Sequence, residues 1–444
     1  MTDKINDERS VRVPHRRVSR LGHMGATALG VAGNMAVNGV AQLSKGKRLS
    51  LHELILTHSN ISLITDQLAK LRGAAMKVGQ LVSMDTGDLM SPELAQIMAR
   101  LRDDADSMPP NQLKKVLNAG WPDNWLRSFE SFDVRPIAAA SIGQVHRAQL
   151  KDGRDLAIKV QYPGIADSID SDVKNVGVFA KMSGLLPKGF PLAPYLKEVS
   201  HQLHEETDYM AEASHLKRFH ALVIDMPQFI VPHVHDDWCT PNILVMDYVV
   251  GVPIEDSATR PQAERDQIAI HLINLTLQEL FTFGIMQTDP NFANFMFQPE
   301  TQKIVLLDFG ATKNISPRVV EQYHTLISAG LSGDDANLIA AAQDIGFLND
   351  STSVAHQAVI LRCMRLVFDA LSASGSIDFS DQTVVKQLQS DGFALIEDGF
   401  IPPPLPIEVV LLQRKFAGIF LICARLSAIV DVAALIRPFV TVLR

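Results

Sequence analysis

Four groups of residues in this chain could do chemistry on a phosphate, and they come in a fixed order. Lys159 lies inside the apolar run Ala157-Ile158-Lys159-Val160, where an ammonium group loses its water unless it meets an anion. Glu206, Asp208 and Glu212 follow within one acidic stretch. Asp289 and Asn294 form an Asp-x-x-x-x-Asn segment, and Asp308 opens an Asp-Phe-Gly behind the apolar Val305-Leu306-Leu307. Taken singly, each group has an ordinary explanation, such as a lysine on a strand's solvent face or a solvated acidic helix. Taken in order, they are the parts that phosphoryl transfer requires. Lys159 would neutralise the α- and β-phosphates of ATP while Glu212 holds it in place. Asp289 would accept the proton of an attacking hydroxyl or position a water. Asn294 and Asp308 offer the hard oxygen ligands that suit Mg2+.

The elements that must position these groups are legible around them. Val145–Leu150 alternates, Asp152-Gly153 forms a turn, and Leu156–Val160 is a second strand, so Lys159 belongs to a β-hairpin. Just before it, Ala138-Ala139-Ala140-Ser141 makes a tight small-residue loop whose backbone amides can approach a phosphate. A long amphipathic helix is expected over Pro194 to Val223. On it Asp208 and Glu212 share a face, whereas Glu206 lies about 120° around from Glu212. Both glutamates therefore cannot face Lys159 from one undistorted helix, and an exchange of partners on nucleotide binding is expected. The apolar strand Ile243–Val250 offers Met246 and Tyr248 to the nucleotide. A second hairpin, Asn294–Phe297 with Ile304–Leu307, flanks a turn at Pro299 to Gln302 and carries Asn294 and Asp308 at its ends.

Upstream, Ile61, Ile64, Leu68, Leu71, Ala75, Val78 and Val82 recur at three- and four-residue steps, so the region from Leu51 to Ala119 reads as helical. From Gln262 onward helices dominate again, including the tail beyond Pro402-Pro403-Pro404. An α+β fold follows, in four stretches: a basic arm and small-residue apolar segment over 1–50, a helical extension over 51–132, a strand-bearing lobe with inserted helices over 133–250, and a helical lobe over 251–444.

The length of 444 residues accommodates two or three packed units, and 47% hydrophobic with 20% charged residues is a globular composition. Lysines and arginines number 41 against 49 acidic residues, a formal charge of −8, which argues against a nucleic-acid partner. The three cysteines, Cys239, Cys363 and Cys423, are isolated, excluding a disulfide framework and fitting a reducing, intracellular compartment. His201, His204 and Glu205 do not follow the order of a zinc-protease helix. No stretch is a convincing membrane span. Near the start, Arg9, Arg12, Arg16, Arg17 and Arg20 precede an uncharged segment from Ala26 to Leu43, and Gly22, Ala26 and Gly30 fall on one helical face. This pattern reads either as a flexible arm leading into an ordinary helix or as a segment that meets an anionic membrane surface.

Against an ordinary protein kinase stand three departures: no Gly-x-Gly-x-x-Gly, Gln287-Thr288 in place of His-Arg before Asp289, and no Ala-Pro-Glu after the Asp-Phe-Gly. The sequence instead resembles the UbiB family of atypical kinases, AarF-domain proteins linked to coenzyme Q biosynthesis, in both its mitochondrial and bacterial members. The resemblance rests on Lys77-Val78-Gly79-Gln80 for the Lys-x-Gly-Gln signature, on Ala138-Ala139-Ala140-Ser141 for the alanine-rich loop and on Ala157–Gly164. Glu206-Thr207-Asp208 fits the Glu-x-Asp motif, and Met286–Asn291 with Leu307–Thr312 completes the set. It extends from about Leu51 to the end of the chain.

The resemblance implies a protein-kinase-like bilobal fold with a helical extension over the active site. It further implies that Lys77, Gln80, Glu206 and Asp208 occlude the place of a peptide acceptor, and that the alanine-rich loop alters nucleotide preference. The expected activity is that of an ATP- and Mg2+-dependent atypical kinase or ATPase acting in ubiquinone synthesis. Its surroundings would be the cytoplasmic face of a bacterial inner membrane or the matrix side of a mitochondrial one. A quinone precursor, ubiquinone-synthesis enzymes and a second copy in a homodimer are the partners to consider. The alternatives are a small-molecule or lipid kinase, and a nucleotide-gated scaffold that phosphorylates nothing. The basic arm supplies a direct test: the full chain should co-sediment with anionic vesicles and a chain lacking residues 1–50 should not, whereas equal behaviour of the two removes the membrane reading.

Overall fold

The computed structural model describes residues 73–75, 77–78, 108–183, 192–372 and 375–440. The basic arm, the apolar segment after it, Gln80 and most of the helical region expected over 51–119, Ile61, Ile64, Leu68, Leu71 and Val82 among it, lie outside these residues. The described chain divides into two compact units. The first runs to Ser214 and adds His233–Tyr248; the second comprises His215–Pro232 and everything from Val249. Residues 215–232, read with the strand-bearing lobe in sequence, thus group with the helical one.

The first unit is built on an antiparallel sheet of β1 (Phe129–Phe132), β2 (Ala138–Ala139), β3 (Gly143–Leu150), β4 (Asp155–Gln161) and, numbered in chain order, β6 (Ile243–Asp247). β4 lies between β3 and β6, while β1 and β2 both pair with β3. The β3–β4 hairpin is the one expected from the alternation and the Asp152-Gly153 turn, and its register sets Val145 opposite Lys159, which on its other side faces Leu244. Ile158 and Val160 are fully buried on one face of β4, so the intervening Lys159 projects from the opposite face. Helix α1 (Pro110–Gly120) leads into an aromatic cluster of Trp121, Trp125, Phe129, Phe132 and Trp238. The Trp121 indole N–H donates to the Trp238 carbonyl at 2.8 Å, giving the ring's polar edge a partner as burial requires. All three tryptophans of the chain are in this cluster.

A polar chain crosses the same unit. The Met108 amide donates to Gln144 Oε1 at 2.7 Å, Gln144 Nε2 donates to His146 Nε2 at 2.8 Å, and His146 Nδ1 meets the Asp133 carbonyl at 2.8 Å. Only a neutral imidazole protonated on Nδ1 satisfies all three contacts. Helices α2 (Ile165–Ser183) and α3 (Leu192–Glu206) complete the unit together with the start of α4 (Tyr209–Leu222).

In the second unit β5 (Phe229–Ile230) pairs in parallel with β10 (Lys303–Leu306), which is antiparallel to β9 (Phe295–Gln298), which pairs in turn with β7 (Val252–Pro253). The β9–β10 hairpin is the second one expected from sequence. β8 (Ile285–Gln287) pairs with β11 (Thr312–Asn314). Helices α5 (Gln262–Gln278), α6 (Pro317–Ser332), α7 (Asp335–Ile345), α8 (Val354–Ser372), α9 (Thr383–Glu397) and α10 (Ile407–Arg425) supply the rest. Leu280, Met286, Tyr323, Leu338, Val409 and Leu412 share one core, which seats α10 beside β8. The cysteines form no disulfide, and burial pushes the Cys423 thiol up to about 12. No helix among the described residues is long and apolar enough to cross a membrane.

Burial lowers the pKa of His146 below its ordinary 6.5, against a smaller raising effect from the Asp133 carbonyl. The unfolded chain therefore binds the proton first as pH falls, and stability that is full above about 6.5 is lost progressively below it. Urea unfolding at pH 7.5 and 5.5 should show this loss, and His146→Gln should make it smaller.

Candidate active site

Lys159 Nζ lies 2.8 Å and 3.0 Å from the two carboxylate oxygens of Glu212, and both side chains are nearly sealed from water, at 9% and 1% exposure. A pair so desolvated is held by charge-assisted hydrogen bonds, and the Tyr209 ring, 5.3 Å from the ammonium, covers it. Glu212 reaches Lys159 because the expected helix from Pro194 to Val223 is not continuous. It breaks at Thr207-Asp208: α3 ends at Glu206, and the Asp208 carboxylate accepts the Ala211 amide at 2.9 Å to start α4. Asp208, expected beside Glu206 in an occluding role, is exposed and serves this N-cap. The Gln161 side chain donates to the Thr207 carbonyl at 2.6 Å, tying the break to the end of β4.

The break sends the two glutamates to different lysines. Glu206 Oε1 is 2.6 Å from Lys77 Nζ, and the Ser141 hydroxyl donates to Glu206 Oε2. Lys77 is buried. Its helical segment approaches the alanine-rich loop so closely that a Cβ on Gly73 would stand 2.2 Å from the Ser141 carbonyl oxygen; only glycine permits that contact. With Glu206 engaged by Lys77 and Ser141, and Lys159 held by both oxygens of Glu212, the partner exchange expected from a continuous helix loses its geometric basis.

The alanine-rich loop is less open than its composition suggests. Ala138 and Ala139 pair with Val145 and Gln144 as β2, and the Ala140 amide donates to the Gly143 carbonyl at 2.9 Å, so this amide is spent on the hairpin. Met246 is buried opposite Ala157 in the β4–β6 ladder. The Tyr248 ring lies under the Arg147 guanidinium, 4.1 Å away.

In the second unit, register brings the remaining residues together. Phe295 pairs with Leu306, and the Leu307 amide donates to the Asn294 carbonyl at 3.1 Å. Asn294 and Asp308 are thereby neighbours at the open end of the β9–β10 hairpin. Asn294 Nδ2 donates to the Asp289 carbonyl at 3.0 Å, as does Gln287 Nε2 at 2.7 Å. Asp308 Oδ1 accepts the Gly310 amide at 2.9 Å. Phe309 is buried against Phe219, ring centroids 4.6 Å apart, and its carbonyl meets His215 Nδ1 at 3.2 Å. Thr288 donates through both its amide and its hydroxyl to the Ala311 carbonyl, which closes the Asp289 loop against the residues after Asp-Phe-Gly.

With its amide nitrogen donating, Asn294 leaves Oδ1 as an oxygen that could ligate a metal, and with the carboxylate of the neighbouring Asp308 it would make a donor set suited to Mg2+. Among the described residues no group of three or more His, Cys, Asp or Glu could hold a metal ion. Mg2+ in phosphate chemistry takes only one or two protein ligands and draws the rest from phosphates and water, so the two residues fit it.

A buried lysine–glutamate pair, an Asp-x-x-x-x-Asn loop and an Asp-Phe-Gly on mixed sheet and helix define a kinase-like phosphotransferase. Residues 100–342 match the ABC1 atypical kinase-like domain, and this chain belongs to that family. It is 37% identical over 437 residues to the mitochondrial atypical kinase COQ8 of Saccharomyces cerevisiae, covering 98% of this chain and 87% of that protein. It is 38% identical to mitochondrial atypical kinase COQ8B of Rattus norvegicus, covering 95% and 80%. Among solved structures it is similar to Rv3197 of Mycobacterium tuberculosis in complex with erythromycin, with a TM-score of 0.60, 26% identity and coverage of 87% and 96%. Kinase-like family membership implies a nucleotide as ligand.

Sequence reasoning passed over three residues of the second unit. Arg414 Nη2 is 2.9 Å from Asp289 Oδ1. Lys415, almost fully buried, lies 3.2 Å from both Glu279 Oε2 and Gln287 Oε1. Glu279 sits in a π-helical turn after α5, also fully buried; burial raises its carboxyl pKa, with Lys415 pulling the other way. The signal that marked Lys159, charge inside an apolar run, is also present in Leu411-Leu412-Gln413-Arg414-Lys415-Phe416. Removing one partner of a buried pair leaves an uncompensated charge, so Lys415→Met should cost about 3–5 kcal/mol in chemical denaturation, and the double change Lys415→Met with Glu279→Leu should cost less.

Proposed function

We propose that this chain is a Mg2+-dependent atypical kinase or ATPase that uses ATP in support of coenzyme Q synthesis at a membrane surface. The observation that carries the reading is the desolvated Lys159–Glu212 pair, in a chain of the ABC1 family that also carries Asp289, Asn294 and Asp308 in their phosphotransfer order. Lys159, fixed by Glu212, meets the phosphate charge of ATP. Asn294 and Asp308 would hold Mg2+, which when bound would offset the negative charge of the phosphates. Asp289 orients the attacking hydroxyl or water and takes its proton.

The Lys77–Glu206–Ser141 bridge fastens Lys77 to the alanine-rich loop and supports the reading that a peptide is not the acceptor. The absence of an Ala-Pro-Glu segment agrees with this. A quinone precursor at the membrane is the acceptor or effector class that the COQ8 relatives suggest, with the matrix side of a mitochondrial membrane or its bacterial counterpart as the setting.

Purified protein should release phosphate from ATP only with Mg2+, faster in the presence of anionic liposomes and a phenolic quinone precursor, and Asp308→Asn should abolish it. Tight nucleotide binding with no turnover under any of these conditions would replace the enzyme reading with that of a nucleotide-gated scaffold.

A further inference from the structure

The catalytic loop carries no cation of its own. From Ile285 to Asn294 there is no lysine, arginine or histidine, yet the Asp289 carboxylate is largely buried, at 14% exposure, and a carboxylate in that position is costly to keep ionised without a positive neighbour. The neighbour arrives from 125 residues downstream: Arg414, itself 9% exposed, on α10. This is not a surface ion pair, whose worth would be small.

We propose that Arg414 is a positioning residue that sets the carboxylate of Asp289 for phosphoryl transfer, and that α10 is the rigid support of the catalytic loop. The inference rests on the reading of Asp289 given under Proposed function. Three contacts place α10 on the loop independently of the arginine. A Cβ on Gly418 would fall 2.2 Å from Pro290 Cγ, so the helix backbone lies directly against the residue after Asp289. One turn earlier, Lys415 reaches Gln287 and Glu279. Val409 and Leu412 anchor the same helix in the core that holds Met286 of β8. Helix geometry then fixes where the guanidinium stands.

The loop divides the tasks of holding backbone and side chain. Gln287 and Asn294 both donate to the backbone carbonyl of Asp289, which restrains the main chain and leaves the carboxylate rotation to be set separately. Arg414 engages Oδ1, so the plane of the carboxylate is chosen before an acceptor or water arrives. Pre-setting of this kind acts on turnover rather than on nucleotide affinity.

The test uses the full chain and a double-mutant cycle of Arg414→Gln with Asp289→Asn, read in ATP turnover, in nucleotide binding and in urea unfolding. The expected result is a kcat lowered by about 30- to 100-fold in Arg414→Gln with KM and nucleotide affinity within about twofold. Arg414→Gln should lower turnover no further in the Asp289→Asn background, and millimolar guanidinium should restore part of the activity of Arg414→Ala. An unchanged kcat in Arg414→Gln, or an equal loss with and without Asp289, overturns the proposal. The unfolding arm keeps the question separate from folding defects and from the enzyme reading. The two changes should be coupled by at least tenfold in the folding equilibrium, and additive effects overturn the pairing whether or not ATP is turned over. No nucleotide turnover or binding by the unaltered chain would instead overturn the phosphotransfer reading itself.

Discussion

An ammonium group taken out of water must find an anion, and much of this structure is arranged around that demand. Among the described residues three lysines are buried, Lys77, Lys159 and Lys415, and each meets a glutamate: Glu206, Glu212 and Glu279. The pairs tie together segments far apart in sequence, because a partner adjacent on the same strand or helix would not need the fold to supply it. Lys159–Glu212 joins a central strand to the first turn of α4, Lys77–Glu206 joins the helical extension to the end of α3, and Lys415–Glu279 joins α10 to the π-helical turn before β8. Such pairs add little net stability over a well-packed apolar core, but separating one is expensive. They therefore act as geometric constraints.

The two glutamates of the Glu206–Glu212 stretch show how backbone and charge solve one problem together. A continuous helix would place them on different faces and oblige Lys159 to choose between them. The chain instead ends one helix at Glu206 and begins another at Tyr209, with Asp208 satisfying an otherwise orphaned amide of the new N-terminus. The interruption costs a few helical hydrogen bonds and frees each carboxylate to take its own cation. One consequence is that Lys77 and Ser141 of the alanine-rich loop are fastened through Glu206, while Lys159 is fastened through Glu212, so the two tethers are mechanically distinct.

The Asp289 loop is held by a different logic. It is bracketed by backbone pairing of β8 with β11 and by the β9–β10 hairpin, both local in sequence, and its charge is balanced by a distant helix. Close approach at Gly418 and Pro290 permits this, since any side chain at Gly418 would push α10 away from the loop. What steadies the residues of the loop lies well outside it.

Much of this was legible in the sequence. Period-two alternation around an Asp-Gly turn forces the hairpin that carries Lys159, an apolar run ending in Asp-Phe-Gly forces a strand that delivers Asp308, and the turn at Pro299 to Gln302 brings Asn294 beside it, because all three follow from local backbone preference and short-range pairing. A lysine in an apolar strand announced a buried pair, and the order of the motifs offered Glu212 as its partner with Glu206 as a competitor. The pairing of Glu206 with Lys77 rather than Lys159, the break at Thr207-Asp208, the grouping of residues 215–232 with the helical unit and the reach of Arg414 to Asp289 were decided only by tertiary structure. Each depends on contacts between residues distant in the chain, where burial changes the energy of a charge by more than local propensity can, and no local pattern records which distant group will arrive to compensate it.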